Sequence, residues 1–258
     1  MRYYVVDAFT DALFKGNPAG VCLLEDWPED ELMQNIAFEN NLAETAFLVK
    51  QEGDYALRWF TPVTEVDLCG HATLASACAL MTRAHKSMQK VCFHTQSGEL
   101  FVRREGNLFA MDFPRRMPVP CDAPKGIEAA LGVKAIETHL ARDLFVLAEN
   151  EDAVKNARPD FVKLSAIDGF LGFCVTAKGK DVDFVSRFFA PGAGIDEDPV
   201  TGSAHSALIP FWAERLGKTE MTARQLSKRG GTLYCKDLLN RVEIKGAATV
   251  YLEGEIQL

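Results

Sequence analysis

Two periods alternate along this chain. The short runs "YYVVDAF", "GVCLL", "TAFLV" and "YALRWF" are rich in β-branched and aromatic residues and bounded by turn residues, which predicts strands. "GNP" at 16–18 marks a turn. "PEDELMQNIAFENN" (28–41) sets Leu32 with Ile36 and Met33 with Ala37 at i, i+4, behind acids in its first turn, and so predicts an amphipathic helix. From His71 to Met81 the chain is apolar almost all round, and such a helix belongs inside a curled sheet. "SAHSALIPFWAERLG" (203–217) predicts a second central helix, ended by Gly217 and kinked or broken near Pro210. The stretches near 118–142 and 150–168 are mixed and predict no definite element. The final "ATVYLEGEIQL" (248–258) reads as a hairpin or a pair of strands.

The pattern occurs twice. "RWFTPVTEVDLCGHATLASACAL" from Arg58 and "RFFAPGAGIDEDPVTGSAHSALI" from Arg187 both open Arg-aromatic-Phe-small-Pro, turn, reach Gly-polar-Ala and enter a small-residue helix. The arginines lie 129 positions apart and Gly70 lies 132 from Gly202, so the second loop is longer. "TAFLV" before the match parallels "LGFCV", and "TQSGELFVRREGNLFAMDF" after it parallels "SKRGGTLYCKDLLNRVEI". A repeat of about half the chain length implies two similar halves. The predicted fold class is α+β: two pseudo-symmetric domains, 1–116 and 117–247, each a curled, mainly antiparallel sheet or barrel around a central helix.

Composition narrows the function classes. The 258 residues are 48% apolar and 25% charged, with 19 Gly and 11 Pro, as in an ordinary folded globular protein. No apolar run approaches the roughly 20 residues of a membrane span, and acids occupy the N-terminal stretch where a signal peptide would be apolar. A net charge of −8 without a basic cluster argues against nucleic acid or an acidic membrane as partner. Seven scattered cysteines without CxxC fit buried thiols in a reducing cytoplasm. The five histidines form no HxH or HxxxH pair, and neither GxGxxG nor GxxxxGK[ST] occurs, so no metal, nucleotide, flavin or pyridoxal cofactor is expected.

Chemistry gathers where the repeats turn into helices. A helix N-terminus offers unpaired N–H groups and partial positive charge, and a glycine there admits an anion closely. "DLCGHAT" (67–73) and "DPVTGSA" (198–204) each supply such an end, with polar residues beside it. If the symmetry brings the ends together they form one carboxylate pocket. Otherwise Gly70 and Gly202 are simple turn residues.

"FKGNPAGVCLL", "NNLAETAFLV", "LCGHATLASA" and "DPVTGSAHSAL", in this order, resemble the phenazine-biosynthesis, PhzF-like family, over essentially the whole chain. That family resembles diaminopimelate epimerase and proline racemase in fold. The resemblance implies cofactor-independent proton transfer in a cleft between the domains, a homodimer, and a C-terminal strand at about 248–258 returning to the first domain. It places the acid/base carboxylate at Glu44, a role that suits a carboxylate when burial brings its pKa toward working pH. It also has His71 lining the pocket and Asp198 facing the substrate with Ser203; His71 and Asp198 join Glu44 as catalytic candidates, and Asn17, Gly70, Thr201 and Gly202 are further substrate-binding candidates. Read without it, Glu44 is a solvated cap, His71 a helix-cap or core residue and Asp198 a turn residue held extended by Pro199.

Cys69 stands where the racemases of this fold carry one of two paired thiols. The matching position, just before Gly202, is Thr201, so two-thiol racemization is not available. Beside a helix end Cys69 is a candidate for a lowered thiol pKa. A Cys–His nucleophile is disfavoured, because residues two apart around a glycine need not face each other and no third orienting group is evident. The expected activity is a cofactor-free isomerase of a small carboxylate-bearing metabolite. A one-base epimerase or dehydratase of an amino or hydroxy acid, or a non-catalytic carboxylate-binding protein, are the alternatives.

Overall fold

The computed structural model describes Met1–Leu258. The chain divides into two compact units, Met1–Phe113 with Glu243–Leu258, and Pro114–Val242. These boundaries fall a few residues before 116 and 248.

The first unit contains, in chain order, β1 (Arg2–Ala8), β2 (Asn17–Leu24), α1 (Asp30–Asn40), β3 (Glu44–Lys50), β4 (Tyr55–Phe60), β5 (Glu65–Val66), α2 (Gly70–Ala79), β6 (Lys90–Thr95), β7 (Gly98–Glu105) and β8 (Leu108–Pro114). The pairing runs β1–β2–β3–β4–β6–β7–β8, and the last strand of the chain (Arg241–Glu255) bonds to both β8 and β1, closing an eight-stranded barrel. The β2–β3 and β4–β6 pairs are parallel and the pairs β1–β2, β3–β4, β6–β7 and β7–β8 antiparallel.

Helix α2 packs against β1, β2 and β3, and all ten of its residues are buried. Its glycine and alanines let the backbone fit inside the barrel. Its hydroxyls are satisfied within the helix, Thr73 Oγ1 donating to the Cys69 carbonyl at 2.6 Å and Ser76 Oγ to that of Ala72 at 2.7 Å. Helix α1 turns Met33, Ile36 and Ala37 onto Cys22, Phe47 and Phe60, the face its i, i+4 spacing predicts.

The second unit contains β9 (Val119–Pro120), α3 (Ile127–Leu131), β10 (Glu137–Leu140), β11 (Leu144–Leu147), α4 (Glu151–Lys155), α5 (Phe161–Ser165), β12 (Phe173–Lys178), β13 (Phe184–Ala190), β14 (Ile195–Asp198), α6 (Gly202–Leu216), β15 (Glu220–Gln225) and β16 (Gly231–Asp237). Its sheet runs β9–β10–β11–β12–β13–β15–β16, with β14 pairing β13 through an irregular register. Helix α6 lies against β15 and β16. The mixed stretches near 118–142 and 150–168 hold short strands and five-residue helices, too brief to show a period.

Two expectations need correction. Helix α6 is not broken at Pro210, one of the two outcomes expected there. A proline leaves the carbonyl four residues earlier without its helical donor. Here that carbonyl belongs to Ser206, and the backbone N–H of Arg116 donates to it at 3.1 Å. The C-terminal stretch is one strand, β17 (Arg241–Glu255), not a hairpin. It pairs antiparallel with β1 from Ala8↔Ala248 to Arg2↔Glu255, and a bulge at Val5/Val6 absorbs the irregularity a turn would otherwise have explained.

The repeated arginines do equivalent work. Arg58 on β4 donates from Nε and Nη2 to the two oxygens of Glu65, both at 2.7 Å. Arg187 on β13 does the same to Glu197 at 2.7 and 3.0 Å. Each guanidinium also lies over the aromatic ring two positions on, 5.2 Å from Phe60 and 4.9 Å from Phe189.

Candidate active site

In the first unit, α1 ends at Asn40, and Asn41 adopts the left-handed conformation at φ 47 that closes a helix. Asn40 Nδ2 then donates to Thr45 Oγ1 at 3.1 Å, fixing the step from helix to strand. Glu44 is thereby the first residue of β3, beside Ala19 of β2 in parallel register. Asn17, fully buried, opens β2 two positions earlier.

At the start of α2, Cys69 is extended (φ −140, ψ 107) and caps the helix without a side-chain bond. Gly70 and His71 follow it into the barrel, both buried.

Glu44, Cys69 and His71 meet. His71 Nε2 lies 3.1 Å from Glu44 Oε2, and the two side chains are 5% and 12% exposed. The contact is off the line of a hydrogen bond, so both atoms are buried without an aligned partner. On the other side of the ring, His71 Nδ1 is 3.5 Å from Cys69 Sγ. The expectation that Cys69 and His71 need not face each other is therefore corrected. The first turn of α2 brings them together, and Glu44 arrives from β3 as the third group.

Burial is the largest influence on the His71 proton and works against it. The Cys69 sulfur and the Glu44 carboxylate more than offset it, and His71 sits well above the usual histidine range. Burial pushes the Cys69 thiol up, and the negative charge of Glu44 adds to this against the opposing pull of His71. The lowered thiol pKa expected beside a helix end is thus corrected: desolvation in the barrel outweighs the helix end. The Cys69 sulfur and the Glu44 carboxylate are the two groups that favour the proton on His71. The same three residues offer one donor atom each within 4.8 Å, a spacing a divalent ion also accepts.

In the second unit, Asp198 ends β14, Thr201 is the extended residue before α6, and Gly202 and Ser203 form its first turn. Thr201 Oγ1 donates to Asp198 Oδ2 at 2.5 Å. Gln225, absent from the sequence reading, holds both. Its Oε1 accepts the Thr201 N–H at 2.9 Å, and its Nε2 donates to the Asp198 carbonyl at 2.7 Å and to Thr201 Oγ1 at 3.1 Å. The signal for Gln225 was alternation: Met221, Ala223 and Gln225 are the inward positions of β15, and only the last is polar.

Next to that start, His205 is wholly buried. Burial pushes it down to about 4, and its Nδ1 donates to the Thr201 carbonyl at 2.8 Å.

The family model of phenazine biosynthesis-like proteins, PhzC-PhzF, matches residues 6–254. A Pseudomonas aeruginosa protein named an uncharacterized isomerase is 49% identical, covering 100% of this chain and 99% of its own length. A human phenazine biosynthesis-like domain-containing protein is 39% identical, over 98% of each chain. The crystal structure of a PhzF-family protein from Enterococcus faecalis superposes with a TM-score of 0.97 at 49% identity, over 100% of this chain and 99% of that one. A probable proline racemase from Agrobacterium radiobacter, 11% identical with a TM-score of 0.67 over 100% of this chain and 93% of its own, shares the fold. The chain therefore belongs to the PhzC-PhzF family of phenazine biosynthesis-like proteins and is an enzyme of the isomerase type.

Proposed function

We propose that the reaction is a cofactor-independent proton shift on a small carboxylate-bearing metabolite, with Glu44 as the acid/base. The observation that carries this reading is the buried Glu44–His71 contact of 3.1 Å, whose two facing atoms lack aligned partners. The misaligned Oε2 of Glu44 keeps a lone pair available to accept a proton from carbon. Glu44 takes the proton from a carbon made acidic by conjugation. The C–H electrons move into the conjugated system, and Glu44 returns the proton to a carbon further along. No atom is gained or lost.

His71, protonated, stabilises the negative charge that develops between the two transfers. The N–H groups at the start of α2, which no side chain caps, take the substrate carboxylate. Asp198 and Ser203 are assigned to substrate contact on the family resemblance, and the bond from Thr201 to Asp198 supports a fixed orientation for that carboxylate.

A second reading is favoured by the 3.5 Å approach of Cys69 to His71: thiol chemistry with His71 as partner. Incubating the protein with a library of small carboxylates in D₂O, and reading deuterium uptake by mass, tests both. Uptake by wild type that persists in Cys69→Ala supports Glu44. Uptake lost in Cys69→Ala supports the thiol, and no uptake with any compound counts against a proton shift on small carboxylates.

A further inference from the structure

A second group of donors in the first unit shares no residue with the site above. Cys92 and His94 stand two apart on β6 and so share a face. Asp54, in the turn before β4, reaches that face: its Oδ1 accepts the backbone N–H of Cys92 at 2.9 Å. One ligand atom from each of Asp54, Cys92 and His94 lies within 4.8 Å of the others. Glu99 sits directly opposite His94 on β7, with its Oε1 3.6 Å from His94 Nδ1.

The donor set fits a small divalent cation of borderline softness. Thiolate, imidazole and carboxylate are the three side-chain types that zinc accepts, at about 2.0–2.3 Å, which puts neighbouring donors roughly 3.5 Å apart in a tetrahedron. The three donor atoms lie within 4.8 Å of one another, and the His94 side chain is 41% exposed. One thiolate and one carboxylate balance a charge of +2. The Cys92 side chain is buried and outside any disulfide, so its sulfur can ligate once the thiol gives up its proton. Glu99 is placed as the carboxylate that accepts the second ring N–H of a metal-bound histidine and fixes its tautomer.

Asp54 and Cys92 also line a cleft of about 550 Å³. Arg103 lines the same cleft, but Glu105 and Glu243 already neutralise it. The ligands come from two segments 38 residues apart, which is why histidine spacing alone shows no site.

We infer that Asp54, Cys92 and His94 form a binding site for a zinc-class divalent cation, with Glu99 positioning His94. Titration of the full chain with Co²⁺, followed by the thiolate-to-cobalt absorption band and by displacement with Zn²⁺, tests this. One equivalent of Co²⁺ is expected to give the band. Cys92→Ser abolishes it, and His94→Gln weakens affinity by more than the roughly 10–100-fold expected of Glu99→Gln. Cys69→Ser leaves the band unchanged, which separates this site from the Glu44–Cys69–His71 group. Circular dichroism of the metal-free variants checks folding, and His94→Gln, at a half-exposed position, carries the test should Cys92→Ser not fold. No band in the wild type, a band that survives Cys92→Ser, or one lost only in Cys69→Ser overturns the assignment.

Discussion

His71 Nε2 stands 3.1 Å from Glu44 Oε2 inside the barrel, yet neither atom has an aligned hydrogen-bond partner. The two attract as a buried pair of charges, but the misalignment leaves hydrogen-bonding capacity on both for a substrate atom.

The first consequence concerns the His71 proton. Its pKa is raised, so the imidazole remains protonated above the usual 6.5. A folded pKa above the unfolded one gives a contribution to stability that is complete below about 6.5 and is lost as pH rises through the folded value. NMR of the ring should show a titration well above 6.5, moved downward in Glu44→Gln. A ring that titrates at or below 6.5 in the wild type contradicts the pairing.

Gln225 makes three bonds to Asp198 and Thr201 from a wholly buried position. Gln225→Leu keeps most of the volume and leaves the Thr201 N–H and the Asp198 carbonyl unpaired. The expected loss is about 2–4 kcal/mol, read from urea unfolding. A loss below about 0.5 kcal/mol would mean that water replaces the amide.

The two repeat arginines allow a comparison. Arg187 also donates to the Ala157 carbonyl at 2.8 Å, while the third partner of Arg58 is the exposed Asp30. Lysine keeps the charge but not the fork. Arg187→Lys should therefore lower stability by about 1–3 kcal/mol and Arg58→Lys by less. Equal losses in urea unfolding would show that the backbone contact adds nothing.

What was legible in the sequence follows from how local each signal is. The repeat was legible because Arg58 and Arg187 have the same task on equivalent strands, with a glutamate and a Phe as partners in each case. The central helix was legible because a helix buried on every side must be apolar on every side. The meeting of Cys69 with His71 was not, because it depends on how one extended residue enters the helix. Continuity through Pro210 was not legible either, since Arg116, the donor to the Ser206 carbonyl, is remote in sequence. Glu44 and Asp198 were reached through family resemblance, not through any period in the chain.

His205 gives a separate dependence on pH. Burial pushes it down to about 4 from 6.5, so the folded chain holds it neutral while the unfolded chain takes up a proton. Its contribution is complete above 6.5 and is lost as pH falls toward 4, by roughly 3 kcal/mol. His205→Gln should flatten that part of the stability profile in urea unfolding between pH 7 and pH 4. An unchanged slope would assign the acid sensitivity to other groups.

The central claim is that Glu44, not Cys69, carries the proton. The most direct measurement is solvent-deuterium incorporation, with turnover, for Glu44→Gln and Cys69→Ala on a carboxylate that the wild type labels. Gln keeps the size of Glu but cannot take the proton, so a loss of about 10²–10⁴-fold is expected, with the His71 site still folded. Cys69→Ala removes a thiol whose pKa burial raises, and should stay within a few-fold of wild type. Near-normal labelling by Glu44→Gln together with none by Cys69→Ala would contradict the account and place the chemistry on the thiol.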